Sequence, residues 1–135
     1  MSRISDPAAW VQKADHDLLN IQNNLLAVLV PWDTVCFHAQ QAGEKLLKGY
    51  LVAHGMTPER THDLVQLLSV CLTIDPALSD LETPCVMLSA YGVFPRYPDD
   101  VDDVNESDAR SLVAAAEQIR GRIVPLLALP DLPDN

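Results

Sequence analysis

Residues 33–54 read DTVCFHAQQAGEKLLKGYLVAH, and the reading of this stretch decides the fold. Pro31 and Trp32 precede it, Asp33 or Thr34 is the expected N-cap, and Gly55 stands where a helix ends on a left-handed residue. At about 100° per residue, Val35, Ala39, Ala42, Leu46, Tyr50 and Ala53 stack on one face, and Cys36, Leu47 and Leu51 widen it. A face that broad predicts a helix with neighbours on more than one side. The flank is polar: His38, Gln41, Lys45 and Lys48 follow i, i+3, i+7, i+10 and share a narrow arc. Two of the chain's three lysines and one of its four histidines lie there, so the stripe is either a solvated helix edge or a focus of donors for an anion.

Working outward, Ser5 or Asp6 followed by Pro7 starts a first helix over residues 7–29, whose apolar stripe is Trp10, Ala14, Leu18, Ile21, Leu25 and Val28. Pro31 ends it. Beyond the central helix, Thr61 and Asp63 compete as N-cap for a third, with Leu64, Leu67, Leu68 and Cys71 inward. Asp75-Pro76 breaks that helix, and residues 78–91 read as a fourth, with Pro84 marking a start or a kink. An irregular stretch, VFPRYPDDVDDVN, covers residues 93–105. Asn105 or Ser107 caps the last helix, with Ala109, Leu112, Val113, Ala116, Ile119, Ile123 and Leu126 as its buried stripe. The alternation and turn chemistry of strands is missing. The expectation is an all-α fold, an up-and-down bundle of four to five antiparallel helices. It forms a single domain over residues 1–135, of which 129–135 are an acidic, Pro-rich tail.

Composition narrows the function. Nineteen acids against nine bases give a formal charge of −10, which excludes a charge-driven binder of extended nucleic acid, because phosphate affinity needs a basic surface. A local pocket for one nucleotide or a basic partner protein remains compatible with it. Cys36, Cys71 and Cys85 lie in apolar helical segments and read as buried thiols in a reducing compartment. MSRISDPAAW has no apolar leader segment, and the apolar run at 25–30 is too short to span a bilayer, so the expectation is a cytoplasmic protein without a membrane role.

Three constellations carry candidate chemistry. His38, Gln41, Lys45 and Lys48, together with His62 and Asp63 at the start of the third helix, would suit a phosphate or carboxylate near a helix N-terminus; alternatively His62 buttresses a neighbouring helix. In Phe94-Pro95-Arg96-Tyr97-Pro98-Asp99-Asp100 two prolines stiffen the backbone around an arginine fork and a stackable ring; alternatively Arg96 pairs with an aspartate to lock the loop. The acids Asp99, Asp100, Asp102, Asp103, Glu106 and Asp108 lack a Gly-centred calcium loop. They read as favourable charge at a helix N-terminus rather than as a metal site. Nucleophile-elbow, P-loop, HExxH and CxxC motifs are absent, and Cys36 and His38 point to different faces.

FHAQQAGEKLLKGYL at 37–51, THDLVQLL at 61–68, and RYPDD at 96–100 before a final helix together resemble the HEPN domain family, over Trp10 to Ile123. The resemblance implies an up-and-down helical bundle, usually a homodimer. It also implies a frequent partner, a minimal nucleotidyltransferase encoded alongside in toxin–antitoxin-type pairs. It places His38, Gln41, Lys45, His62, Asp63, Arg96, Tyr97 and Asp99 at the family's motif positions, as the ligand-binding set, with no metal or other cofactor. The chain departs from the ribonuclease branch, which carries an Arg followed by His after four to six residues. None of the six arginines has a His so placed, Arg60 and His62 being two apart. It is similar instead to the branch with the RYPD loop, for which nucleotide binding is proposed. Two alternatives stand beside that expectation: a metal-independent ribonuclease using His38 or His62 with Arg96, and a structural dimerising partner.

Overall fold

The structure is a computed structural model that describes residues 3–93 and 104–129. Among the described residues five α-helices make the bundle: α1 Pro7–Leu25, α2 Trp32–Ala53, α3 Leu64–Ile74, α4 Glu82–Val93 and α5 Glu106–Ile123. Short 3-10 turns lie at Arg3–Ser5, Pro76–Leu81 and Val124–Leu127, and there is no strand among the described residues. Thirteen of the 22 residues of α2 are buried, which identifies it as the element the others surround. It packs most extensively on α1 and α5 and also meets α3 and α4. Val35, Cys36, Ala39, Ala42, Leu46 and Leu47 are fully buried on it, as its apolar spacing requires.

Two glycines let neighbours approach α2. A Cβ on Gly43 would sit 2.8 Å from Leu64 Cδ2 and 2.9 Å from Leu88 Cδ1, so α3 and α4 close on the helix at that point. A Cβ on Gly49 would lie 3.1 Å from Trp10 Cβ, where α1 crosses. Gly55, at φ 76°, takes the left-handed conformation that ends the helix.

Side chains fix most of the helix starts. Asp6, with Pro7 following, accepts from Ala8 N at 3.0 Å. Asp63 rather than Thr61 caps α3, and Asn105 rather than Ser107 caps α5 by accepting from Asp108 N at 2.8 Å. The start of α2 differs from expectation: it begins at Trp32, its N-cap Pro31 has no side-chain bond, and Asp33 accepts from Thr34 N instead.

Other boundaries also move. α1 stops at Leu25, four residues short of the expected end; its buried line of Val11, Ala14 and Ile21 has run out, and Val28 is 100 % exposed. Ala53 at the end of α2 is exposed rather than part of the buried face. The fourth helix forms only after the 3-10 turn Pro76–Leu81, and Pro84 falls in its first turn, where a missing N–H costs little. At the C-terminal end the tighter 3-10 winding from Val124 rotates the stripe, so Leu127 is buried and Leu126 is exposed.

All three cysteines are buried, and burial pushes the Cys71 and Cys85 thiols up to about 12. No helix among the described residues is long and apolar enough to cross a membrane.

Candidate functional site

Along the surface of α2, His38, Lys45, Gln41, Lys48, Phe37, Glu44 and Gln40 fall in that order around an arc of about 160°. α1 borders the His38 edge, and the start of α3 borders the Gln40 edge. Two buried carboxylates organise the strip. Asp17 of α1 accepts from His38 Nδ1 at 2.8 Å on one oxygen and from Lys45 Nζ at 2.6 Å on the other. Glu44 of α2 accepts from His62 Nδ1 at 2.7 Å and Gln40 Nε2 at 3.2 Å on one oxygen, and from Lys48 Nζ at 3.1 Å on the other.

The strip therefore repeats one chemical unit, a carboxylate gripping an imidazole and an ammonium. A carboxylate can only accept, so each imidazole carries a proton on Nδ1 and, when neutral, presents the lone pair of Nε2. The side chains of Asp17 and Glu44 are 10 % and 6 % exposed, whereas that of His62 is 71 % exposed. The acids are interior fixtures, and the His62 Nε2 edge is available to a ligand.

Amides extend the Glu44 unit. Gln41 Nε2 donates to Gln40 Oε1 at 2.8 Å, and Gln40 Nε2 donates to the His62 carbonyl at 3.0 Å. Asp63 is turned the other way: it caps α3 through Val65 N and Gln66 N and accepts from the Ser89 hydroxyl at 3.1 Å. That hydroxyl in turn accepts from Leu64 N at 2.7 Å.

Of the residues expected at the site, His38, Gln41, Lys45 and His62 are thus brought onto one face, Asp63 serves the adjoining helix end, and Lys48 is buried against Glu44. Arg96, Tyr97 and Asp99, and the acids Asp100, Asp102 and Asp103, lie outside the described residues. The flanks of that segment are fastened near the start of α2. Tyr91 donates its hydroxyl to the Asp33 carbonyl at 2.9 Å, and the Arg110 guanidinium lies 5.5 Å from the Trp32 ring centre.

Sequence reasoning missed Asp17, Gln40 and Glu44. Asp17 had a signal, because it stands three residues after Ala14 and four before Ile21, on the buried line of α1. An acid in a core register needs a partner, and the polar flank of α2 held the free cations to supply it.

A cleft of about 190 Å³ touching Ile4, Ser5, Val52, Gly55 and Met56 lies at the far end of α2 and includes none of these charged groups. Among the described residues no group of three or more His, Cys, Asp or Glu side chains is arranged to hold a metal ion.

The family model of the HEPN domain matches residues 8–125. No curated protein and no solved structure gives a significant match. A five-helix bundle without strands among its described residues, matched over nearly its whole length by that model, belongs to the HEPN domain family.

Proposed function

We propose that this HEPN domain is a module that binds a nucleotide or related phosphorylated ligand, and that it acts as the partner of a minimal nucleotidyltransferase in a toxin–antitoxin-type pair. The observation that carries the reading is the strip on α2, where His38 with Lys45 and His62 with Lys48 are each fixed on a buried carboxylate. Donors positioned in advance lose little freedom when an anion arrives, so more of each charge-assisted bond appears as affinity. The formal charge of −10 favours a compact ligand over a long polyanion. Gln41, Arg96, Tyr97 and Asp99 complete the ligand set in this reading, with Asp63 holding the α3 terminus beside it. A homodimer in the cytoplasm is the working form.

Thermal unfolding against a panel of nucleotides, with and without magnesium, tests it. A ligand at one hundred times its Kd stabilises the folded state by about 2.7 kcal/mol. A midpoint rise for one nucleotide that disappears in Arg96→Ala is the expected result. Unchanged midpoints across the panel would reject the binding reading in favour of a structural dimerising partner.

One observation favours a second reading, a metal-independent ribonuclease. The His62 imidazole is held by Glu44 through Nδ1 and open at Nε2, the arrangement of an oriented general base. Under it, RNA cleavage follows a bell-shaped pH profile and vanishes in His62→Ala. Cleavage indifferent to that substitution would remove His62 from the chemistry.

A further inference from the structure

We infer that Phe37 is a stacking platform for the aromatic ring of the ligand, which makes the site selective for a nucleobase-bearing phosphate over a plain sugar phosphate. This rests on the binding reading above and goes beyond it by naming what the site selects. Phe37 is the one large hydrophobic side chain of α2 left exposed among the described residues, at 52 %. It takes no part in the core cluster, to which Trp32, Val35, Leu46, Leu47, Tyr50 and Leu51 all contribute, so folding does not account for it.

Its place on the strip is specific. Around the arc it lies between Lys48 and Glu44, within the Glu44 unit, one turn ahead of Gln41 and two ahead of Lys45 and Glu44. The polar groups around it are engaged: Gln41 with Gln40, Lys48 with Glu44, and His38 and Lys45 with Asp17. The His38 ring lies beside Phe37 in a T-shaped contact, with centroids 5.3 Å apart and planes at 77°, and Phe37 is still 52 % exposed. An open aromatic face about 12 Å along the helix from an ammonium pairs a stacking surface with an anion site. Every nucleobase has a π face that such a surface can take.

The test is calorimetric titration of the wild type, Phe37→Ala and Phe37→Leu with AMP, GMP, CMP and UMP, and with ribose 5-phosphate as the ring-free probe. Sedimentation of each variant runs alongside. The inference expects the nucleotide that the wild type binds to lose about five- to a hundredfold in affinity in both variants, while ribose 5-phosphate binding does not change. Leucine keeps the bulk and loses the π face, so a loss in alanine alone would overturn stacking. So would nucleotide binding unchanged in both variants, an equal fall for ribose 5-phosphate, or a fall in molar mass showing that Phe37 serves an interface between copies. Wild type that binds ribose 5-phosphate as tightly as any nucleotide would sink the inference and leave phosphate binding standing. Wild type that binds none of the probes would end both.

Discussion

At Gly43 four helices meet in a space with no room for a methyl group. A Cβ there would fall 2.8 Å from Leu64 Cδ2, 2.9 Å from Leu88 Cδ1 and 3.3 Å from Ile119 Cδ1. Alanine would gain helix propensity of about 1 kcal/mol, but overpacking a filled core costs about 1–3 kcal/mol. Gly43→Ala is therefore expected to destabilise the protein in urea unfolding. Gly121 in α5 supplies the opposite case, since nothing lies within 4 Å of its Cβ position; Gly121→Ala should stabilise by about 0.4–1 kcal/mol. If both substitutions shift the midpoint in the same direction, the close crossing at Gly43 is not the governing term. Residue-scale facts of this kind were poorly legible. The sequence shows a glycine inside a helix, whereas the reason for it belongs to Leu64, Leu88 and Ile119, all distant along the chain. The pairing of Asp17 with His38 and Lys45 was hidden for the same reason. Asp15, two positions earlier on α1, faces elsewhere and binds Arg120 through two bonds of 2.7 and 3.0 Å. Only the packing of the helices sorts one aspartate from the other.

Among elements, α3 shows how a short helix is begun from two directions. Asp63 satisfies Val65 N and Gln66 N from within the chain, and Ser89 of α4 satisfies Leu64 N from across the bundle. Losing an N-cap costs about 0.5–2 kcal/mol, and leaving a buried N–H without an acceptor costs about 1–3 kcal/mol. Asp63→Ala and Ser89→Ala should each lower stability within those ranges. Because the serine hydroxyl also donates to Asp63, the double variant should lose less than the sum of the two. Strict additivity in a double-mutant cycle would show that the two caps act independently. At this scale the sequence was most informative. Apolar periodicity located α1, α2, α3 and α5, whereas α4 was bracketed by the Asp75-Pro76 break and the irregular stretch that follows it. Asp6, Asp63 and Asn105 were each one of two cap candidates, because a short side-chain acceptor before an apolar run suits that use. The misplaced ends have separate causes: the buried line of α1 ends at Ile21, and α5 changes to 3-10 winding around Pro125.

For the molecule as a whole, the thiols set an alkaline limit. Burial raises Cys71 and Cys85 from 9.0 to about 12, so each thiol gives up its proton more easily in the unfolded chain. Well below 9.0 both states keep the proton, and these groups leave stability independent of pH. Between 9.0 and about 12 the unfolded chain binds fewer protons, and stability falls by about 1.4 kcal/mol per pH unit for each thiol. Unfolding free energies measured from pH 8 to 10.5 should therefore bend downward near pH 9. The bend should be shallower in Cys85→Ala, and an identical bend in that variant would assign it to other groups. The fold class was legible from periodicity alone, and the location of a polar strip on the central helix followed from it. The segment with Arg96, Tyr97 and Asp99 lies outside the described residues, so its part in the strip is a matter for the Arg96→Ala experiment.

The turn between α1 and α2 exposes Leu26, Val28 and Leu29 at 86 %, 100 % and 87 %, which makes it a natural cut for a protease that favours large apolar residues. Such a cut would free α1, with Asp17, from the helix that carries His38 and Lys45, while leaving the packing of α1 on α2 in place. One half of the strip is thus assembled from two stretches of chain joined by a cleavable strap. A nicked sample should still migrate as an intact domain under native conditions and separate only in denaturant. A synthetic peptide covering residues 3–25, added to the remainder, would then work as a detachable carboxylate. Supplied once with the native sequence and once carrying Asp17→Asn, it titrates the contribution of a single buried charge without altering any residue of the partner helix.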